Sequence, residues 1–141
     1  MRLFNLLKNI ILAINNAKNQ IKNIKNKYYH ISASGVSGTY ATTFTVCSLK
    51  SLPVGVYLVL GQVSGSVSNT TTIVNATMSA GTNSEILLYG YGRGTLSAGG
   101  GVHTWGLLEV TKNGGSVSLT TYRYVSSAIT YGGRLAAIRL I

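Results

Sequence analysis

The spacing of apolar residues near the N-terminus constrains this chain more than any other feature. They fall at Leu3, Leu7, Ile10, Ile14, Ala17, Ile21, Ile24, Tyr28 and Ile31, in unbroken steps of four and three. Such alternation keeps one stripe of an α-helix turned toward a partner, so residues 3–31 predict a heptad seam closed by copies of the same chain. Leu7, Ile14, Ile21 and Tyr28 take the a positions, and Leu3, Ile10, Ala17, Ile24 and Ile31 the d positions. Isoleucine at both a and d favours three strands or more over two, because a β-branched side chain at d packs poorly in a dimer. The rest of the helix surface is Asn and Lys, with no acid to pair across the bundle, and Lys18, Lys25 and Lys27 repel one another. The coil is therefore weak alone, and the remainder of the chain must help hold the copies together. Phe4, Leu6 and Ile11 widen the apolar surface over the first turns. That predicts an end buried in a further partner. The competing reading is a helix packed on its own C-terminal domain.

Beyond the helix the period changes. Residues 32–38 are Ser- and Gly-rich and read as a flexible joint. From residue 39 apolar and polar side chains alternate, as in a half-buried strand. Pro53 and Gly55 mark a turn, and residues 55–67 are apolar on both faces at first, which predicts a central strand. Residues 70–79 and 84–91 read as strands, and residues 90–101 as a glycine-rich loop. Residues 102–111 and 116–125 flank Asn113-Gly114, a strong hairpin signal. Residues 128–131 and 134–141 complete the set, the last expected in the core or along an axis between copies. About eight short strands with short turns predict an antiparallel β-sandwich of jelly-roll type. The expected organisation is a helical stalk over 1–31, a joint over 32–38 and a β head over 39–141.

Charge points first to nucleic acid, since the formal net charge is +10. Its distribution argues against that. Six of the twelve basic residues (Arg2, Lys8, Lys18, Lys22, Lys25 and Lys27) lie in the stalk, and the others are scattered. The imbalance arises because there is no Asp and only two Glu, Glu85 and Glu109. No nucleic acid is expected as partner. The first turns are too short and too polar to span a bilayer, and Asn5, Lys8 and Asn9 interrupt what would otherwise resemble a secretory signal. The single Cys47 excludes an intrachain disulfide and reads as a small core side chain. Asn69 and Asn75 stand in Asn-x-Thr sequons, which matter only in a secretory pathway that is not expected here.

Catalysis is poorly provided for. A Ser-His-Asp triad has no Asp, and Glu85 and Glu109 are the only candidates for a two-carboxylate hydrolase. His30, His103 and Cys47 show no metal-ligand spacing, and the run Gly90-Tyr91-Gly92-Arg93-Gly94 lacks the dinucleotide-binding spacing. No enzyme activity, cofactor or metal is expected. Binding is better provided for, with nine tyrosines, one tryptophan and many hydroxyl and amide groups. Tyrosine offers a flat apolar face and a hydrogen-bonding tip at small entropic cost. The candidate ligand-binding residues are Tyr89, Tyr91, Arg93, His103 and Trp105, around the glycine-rich run. The alternative for each is a cross-strand pair or a contact between copies.

The run Leu52-Pro53-Val54-Gly55-Val56-Tyr57-Leu58-Val59, the Leu108–Gly115 segment and the closing Arg134-Leu135-Ala136-Ala137-Ile138-Arg139-Leu140 together resemble the trimeric β-sandwich heads of tailed-bacteriophage fibres and spikes. Those heads are often similar to the C1q and tumour-necrosis-factor jelly roll, and the resemblance covers roughly residues 33–141 after a short coiled coil. It implies a homotrimer on the virion surface, anchored through the N-terminal helix in another virion structural protein. The head would attach to a host surface glycan or protein. A capsid or tail decoration protein with a purely structural role and a secreted C1q-like binding module are the alternatives.

Overall fold

Among the described residues nine strands alternate between two antiparallel sheets. In the computed structural model, which describes residues 2–25, 27–66, 72–96, 101–127 and 129–141, a helix α1 (Arg2–Lys25) precedes them. The strands are β1 (Tyr28–Val36), β2 (Thr43–Leu52), β3 (Gly55–Ser66), β4 (Thr72–Ala80), β5 (Ser84–Gly90), β6 (Gly92–Leu96), β7 (Gly101–Val110), β8 (Gly115–Tyr122) and β9 (Thr130–Arg139). Odd strands form a five-stranded sheet in the order β1-β9-β3-β7-β5, and even strands a four-stranded sheet in the order β2-β8-β4-β6. Among the described residues no two consecutive strands pair, so successive strands lie in different sheets. The fold is an antiparallel β-sandwich with one N-terminal helix.

Period-two patterning places the core between the sheets. On β3 the odd positions Tyr57, Val59 and Val63 are fully buried, while Leu58, Leu60 and Gln62 face outward. On β9 and β7, Leu135, Ala137, Leu108 and Val110 join them, against Val74, Ala76 and Met78 of β4 and Val117 and Leu119 of β8. Glycine is required where the sheets approach most closely. A Cβ on Gly133 would lie 2.6 Å from Val46 Cγ1 and 3.0 Å from Leu119 Cδ2. Cys47 is buried and unpaired, and burial pushes its thiol pKa up.

Helix α1 is an expectation met with a changed boundary. It ends at Lys25, and Tyr28 and Ile31, the last two positions of the seam, belong to β1. Tyr28-Tyr29-His30-Ile31 is aromatic and β-branched, a strand-prone composition, and β9 supplies its partner. Tyr28 pairs with Ile138 and Ile31 with Leu135. The heptad spacing runs across this strand only because steps of four and three fall on both faces of an extended chain. The segment expected as a joint, residues 32–38, is mostly strand as well, with a register shift between Ala33 and Val36 and Gly35 at φ +67°. From Arg2 to Asn23 every side chain of α1 is exposed, so the helix does not pack on its own head.

Three expected strand features differ. Asn113-Gly114 makes no hairpin, because β7 pairs with β3 and β5 while β8 pairs with β2 and β4. Its turn chemistry serves an arch between sheets, where Gly114 has φ +87° and Asn113 Oδ1 accepts from the Val54 N–H at 2.9 Å. The glycine-rich stretch contains β6, paired with β4; a Cβ on Gly92 would strike the His103 carbonyl, so only glycine lets β6 pass this close to β7. Residues 97–100 of that stretch lie outside the described residues. Finally, residues 128–131 and 134–141 are not two strands. Gly132 and Gly133 continue β9, which lies between β1 and β3, while Leu140 and Ile141 beyond it are exposed.

Candidate functional site

The outer face of the five-stranded sheet gathers large exposed side chains, with the Tyr28 and His30 rings 5.3 Å apart on its edge strand. Strand register aligns them in rows across the sheet. One row runs Tyr28, Ile138, Leu58, Leu107, Leu88, and the next His30, Ala136, Leu60, Trp105, Gly90. Leu60 and Trp105, neighbours in the middle of this face, are 44% and 46% exposed, and Leu88 is 52% exposed. Moving away from the stalk, the following row is polar: Ser32, Arg134, Gln62, His103. The face is therefore apolar over these two rows, with Glu109 and Glu85 in the row at the stalk end, and polar in the row of Ser32 and His103. Edge strand β5 adds exposed Leu87, Leu88 and Tyr89, with a bulge between Ile86 and Leu88. An exposed apolar edge strand invites pairing or covering by another chain.

The five candidate ligand residues do not form one cluster. His103 and Trp105 lie on the outer face just described, with Trp105 folded over Gly90, where a Cβ would sit 2.4 Å from the indole Nε1. Tyr89 pairs with Gly106, on the opposite face of β5 from Trp105's partner Gly90. Arg93 belongs to β6 of the other sheet, and Tyr91 is the residue that links β5 to β6. Arg93 lies 5.5 Å from the ring centroid of Tyr124, whose ring is tilted 55° against that of Tyr122 with centroids 4.7 Å apart. Burial, and then a hydrogen bond with Tyr91, pushes the Tyr124 phenol pKa up. Beneath this group Asn75 is buried, its Oδ1 accepting from the Tyr122 N–H at 2.6 Å and from the Thr121 hydroxyl at 3.1 Å. Asn75 Oδ1 is thus committed to two donors within the sandwich; Asn69 lies outside the described residues. Tyr91, Arg93, Tyr122 and Tyr124 thus gather as an aromatic cap beside β6 and β8, with Tyr91 and Arg93 exposed.

The seam of α1 is the second exposed apolar surface. Leu3, Leu7, Ile10, Ile14, Ala17 and Ile21 all face solvent, as do Phe4, Leu6 and Ile11; the Ile24 side chain lies outside the described residues. At 1.5 Å per residue the 24 residues of α1 extend about 36 Å. Among the described residues no helix is long and apolar enough to cross a membrane.

Glu85 and Glu109 stand directly opposite one another on β5 and β7. They are neighbours on one open face, not carboxylates facing each other across a cleft, which is the arrangement that two-carboxylate hydrolysis uses. Among the described residues no group of three or more His, Cys, Asp and Glu gathers to hold a metal.

Sequence reasoning missed Ser32, Gln62 and Arg134, which join His103 in the polar row of the outer face, and His30 in the row beside it. They come from β1, β3 and β9, and only the antiparallel register brings them together. No local signal in the sequence marks them.

No family profile matches this chain, and no curated protein matches it by sequence. Among solved structures the fold is similar to the tripod from the baseplate of bacteriophage Tuc2009, with TM-score 0.43 and 8% identity over 82% of this chain. The chain spans 65% of that chain's length. At that level the likeness identifies neither family nor activity.

Proposed function

We propose that this protein is a bacteriophage virion fibre or spike, a homotrimer whose N-terminal helix anchors it in another virion protein and whose β head attaches to the host cell surface. One observation carries the reading: the two apolar surfaces left exposed within the chain, the seam of α1 and the apolar rows of the outer sheet face, meet at β1. Helix and strand are separated only by Asn26 and Lys27, and Tyr28 begins the apolar row. A parallel arrangement of copies that closes the seam also brings these sheet faces together at the base of the stalk. Isoleucine at both a and d of the seam favours three copies.

Strand order supports the finer fold assignment. With β5 set aside as an added edge strand, the orders β1-β9-β3-β7 and β2-β8-β4-β6 are those of a double-sheet jelly roll. The sequence resemblance to phage fibre heads points to the same architecture. The first turns of α1, apolar on more than the seam, supply the attachment to the particle. The role is one of binding and assembly without catalysis, and the working location is the virion surface.

The test is incorporation and adsorption. Deleting residues 2–25 is expected to yield particles without the protein. Full-length protein is expected to bind whole host cells and to compete with particle adsorption. Binding to no cell type, with incorporation intact, would leave a structural decoration role and defeat the attachment reading.

A further inference from the structure

The polar part of the outer sheet face is a trough. Its floor is built of residues with little or no side chain, Gly132 and Ala136 on β9 and Gly101 on β7. The Gln62 side chain leans across this floor: a Cβ on Gly101 would fall 2.3 Å from its Nε2. Two depressions of about 470 and 520 Å³ lie side by side here and share Ser32, Gln62 and Arg134; His30 and His103 border the first, which reaches Tyr28 and Leu60 of the apolar rows. The row Ser32, Arg134, Gln62, His103 crosses four strands, so it is about 14 Å long at the usual spacing between strands.

Arg134 differs from the other arginines of the head. The Arg123 guanidinium donates to the carbonyls of Gly38, Val125, Ser126 and Ser127, and that of Arg139 to the carbonyls of Val54 and Ile141. Arg93 sits over Tyr124. Arg134 is exposed, and no hydrogen bond or ion pair engages it among the described residues. Both carboxylates of the chain are far from it: Glu109 is six residues along β7 from His103, about 20 Å in an extended strand, and Glu85 lies beside Glu109. A guanidinium in a concave polar setting, flanked by imidazole, amide and hydroxyl groups, is suited to a planar or tetrahedral anion. The hydroxyl and amide groups of the row suit a ligand rich in hydroxyls.

We infer that this trough binds an anionic saccharide, its carboxylate or phosphate on Arg134 and its hydroxyls on Ser32, Gln62, His30 and His103. The inference deepens the attachment reading and rests on it. It places the ligand on the outer face of the five-stranded sheet, away from the Tyr91–Arg93–Tyr124 cap, and it fixes the ligand's charge.

The experiment uses the full chain and three polymers: a polyuronate, a polyol phosphate polymer and neutral dextran. Affinities are measured by biolayer interferometry for the unmodified protein, Arg134→Gln, Arg134→Lys and Lys112→Gln. Lys112 is an exposed cation on the arch between β7 and β8, so its variant removes the same charge away from the trough. The expected result is binding to at least one anionic polymer and none to dextran. Arg134→Gln weakens it tenfold or more, Arg134→Lys restores part of it, and Lys112→Gln changes it less than twofold. The preferred polymer identifies carboxylate or phosphate as the anion. Equal losses in Arg134→Gln and Lys112→Gln would reduce the effect to bulk charge and overturn the site, as would binding to neither anionic polymer. Cell binding measured in parallel separates the two readings. Unmodified protein that binds cells, with Arg134→Gln equal to it, removes the trough but leaves attachment standing; no cell binding at all removes both. Circular dichroism melts of each variant confirm that loss of binding is not loss of fold.

Discussion

Leu60 tests whether the outer sheet face is an interface between copies. It lies in the middle of that face, between Ala136 and Trp105, with 44% of its surface exposed. Burying a leucine fully is worth about 1.5–3 kcal/mol, so closing the remaining 44% contributes roughly 0.7–1.3 kcal/mol per copy. Three copies give roughly 2–4 kcal/mol per trimer, which corresponds to about a 30- to 700-fold change in the dissociation constant. Leu60→Thr removes most of this while keeping a β-branched side chain suited to the strand. Because the side chain points outward, the fold of one copy should change by no more than about 0.5 kcal/mol. The assay is sedimentation equilibrium over a range of concentrations, with urea unfolding as the control for the single chain. The variant should dissociate at concentrations at which the unmodified protein remains assembled. Superimposable mass-against-concentration curves for the two proteins would refute the placement of the interface on this face. The neighbouring Val59→Thr is a useful contrast: Val59 is fully buried, so its hydroxyl should cost about 1–3 kcal/mol of fold stability.

Three further outcomes follow from the interior. Asn75→Ala orphans the Tyr122 N–H that its Oδ1 accepts and should lower stability by about 1–3 kcal/mol in urea; a loss below about 0.5 kcal/mol would show that the aromatic cap does not depend on it. The Tyr131 hydroxyl is buried and finds no hydrogen-bond partner among the described residues, so Tyr131→Phe should leave stability unchanged or raise it by about 1 kcal/mol; a clear loss would mean that the hydroxyl is satisfied in solution. Burial raises the pKa of Cys47 above its ordinary 9.0, and of Tyr57 and Tyr131 above 10.0. The fold thus favours their neutral forms. Their stabilising contribution is complete below those ordinary values and is lost as pH rises through the raised ones. The melting temperature should therefore fall above about pH 9, and the Cys47 thiol should react with alkylating reagents only on unfolding; fast alkylation of the folded chain at pH 8.5 would contradict this.

How much of this was legible in the sequence depended on whether the signal was local. The helix was, because a period of 3.5 over Leu3 to Ile21 has one structural meaning. Its end was not: Tyr28 and Ile31 satisfy the heptad and a strand equally, and β9, more than a hundred residues away, decides between them. Strand existence was mostly readable from alternation and from Gly and Pro, as for β3, β5 and β7. Pairing was not, and Asn113-Gly114 shows why. A tight turn reverses the chain, but whether the reversal stays in one sheet is settled by which strands already border β7 and β8. The binding residues divide in the same way. Tyr91 and Arg93 were visible as an aromatic-basic run, but that Arg93 lies beside Tyr124 and apart from His103 and Trp105 was not. Arg134, Gln62 and His30 carried no local mark, because only the register of β1, β9, β3 and β7 sets them side by side. The opposition of Glu85 and Glu109 was hidden for the same reason.

The central claim is that the seam of α1 and the adjoining sheet face are closed by copies of this chain. Sedimentation equilibrium of the full-length protein tests it most directly. One chain has a mass of 14.9 kDa. The account predicts about three times that mass, roughly 45 kDa, for the unmodified protein, and a shift toward the single-chain mass when Ile14 and Ile21 are both replaced by Asn, the smaller residue that breaks the seam. A single-chain mass for the unmodified protein at tens of micromolar would contradict it.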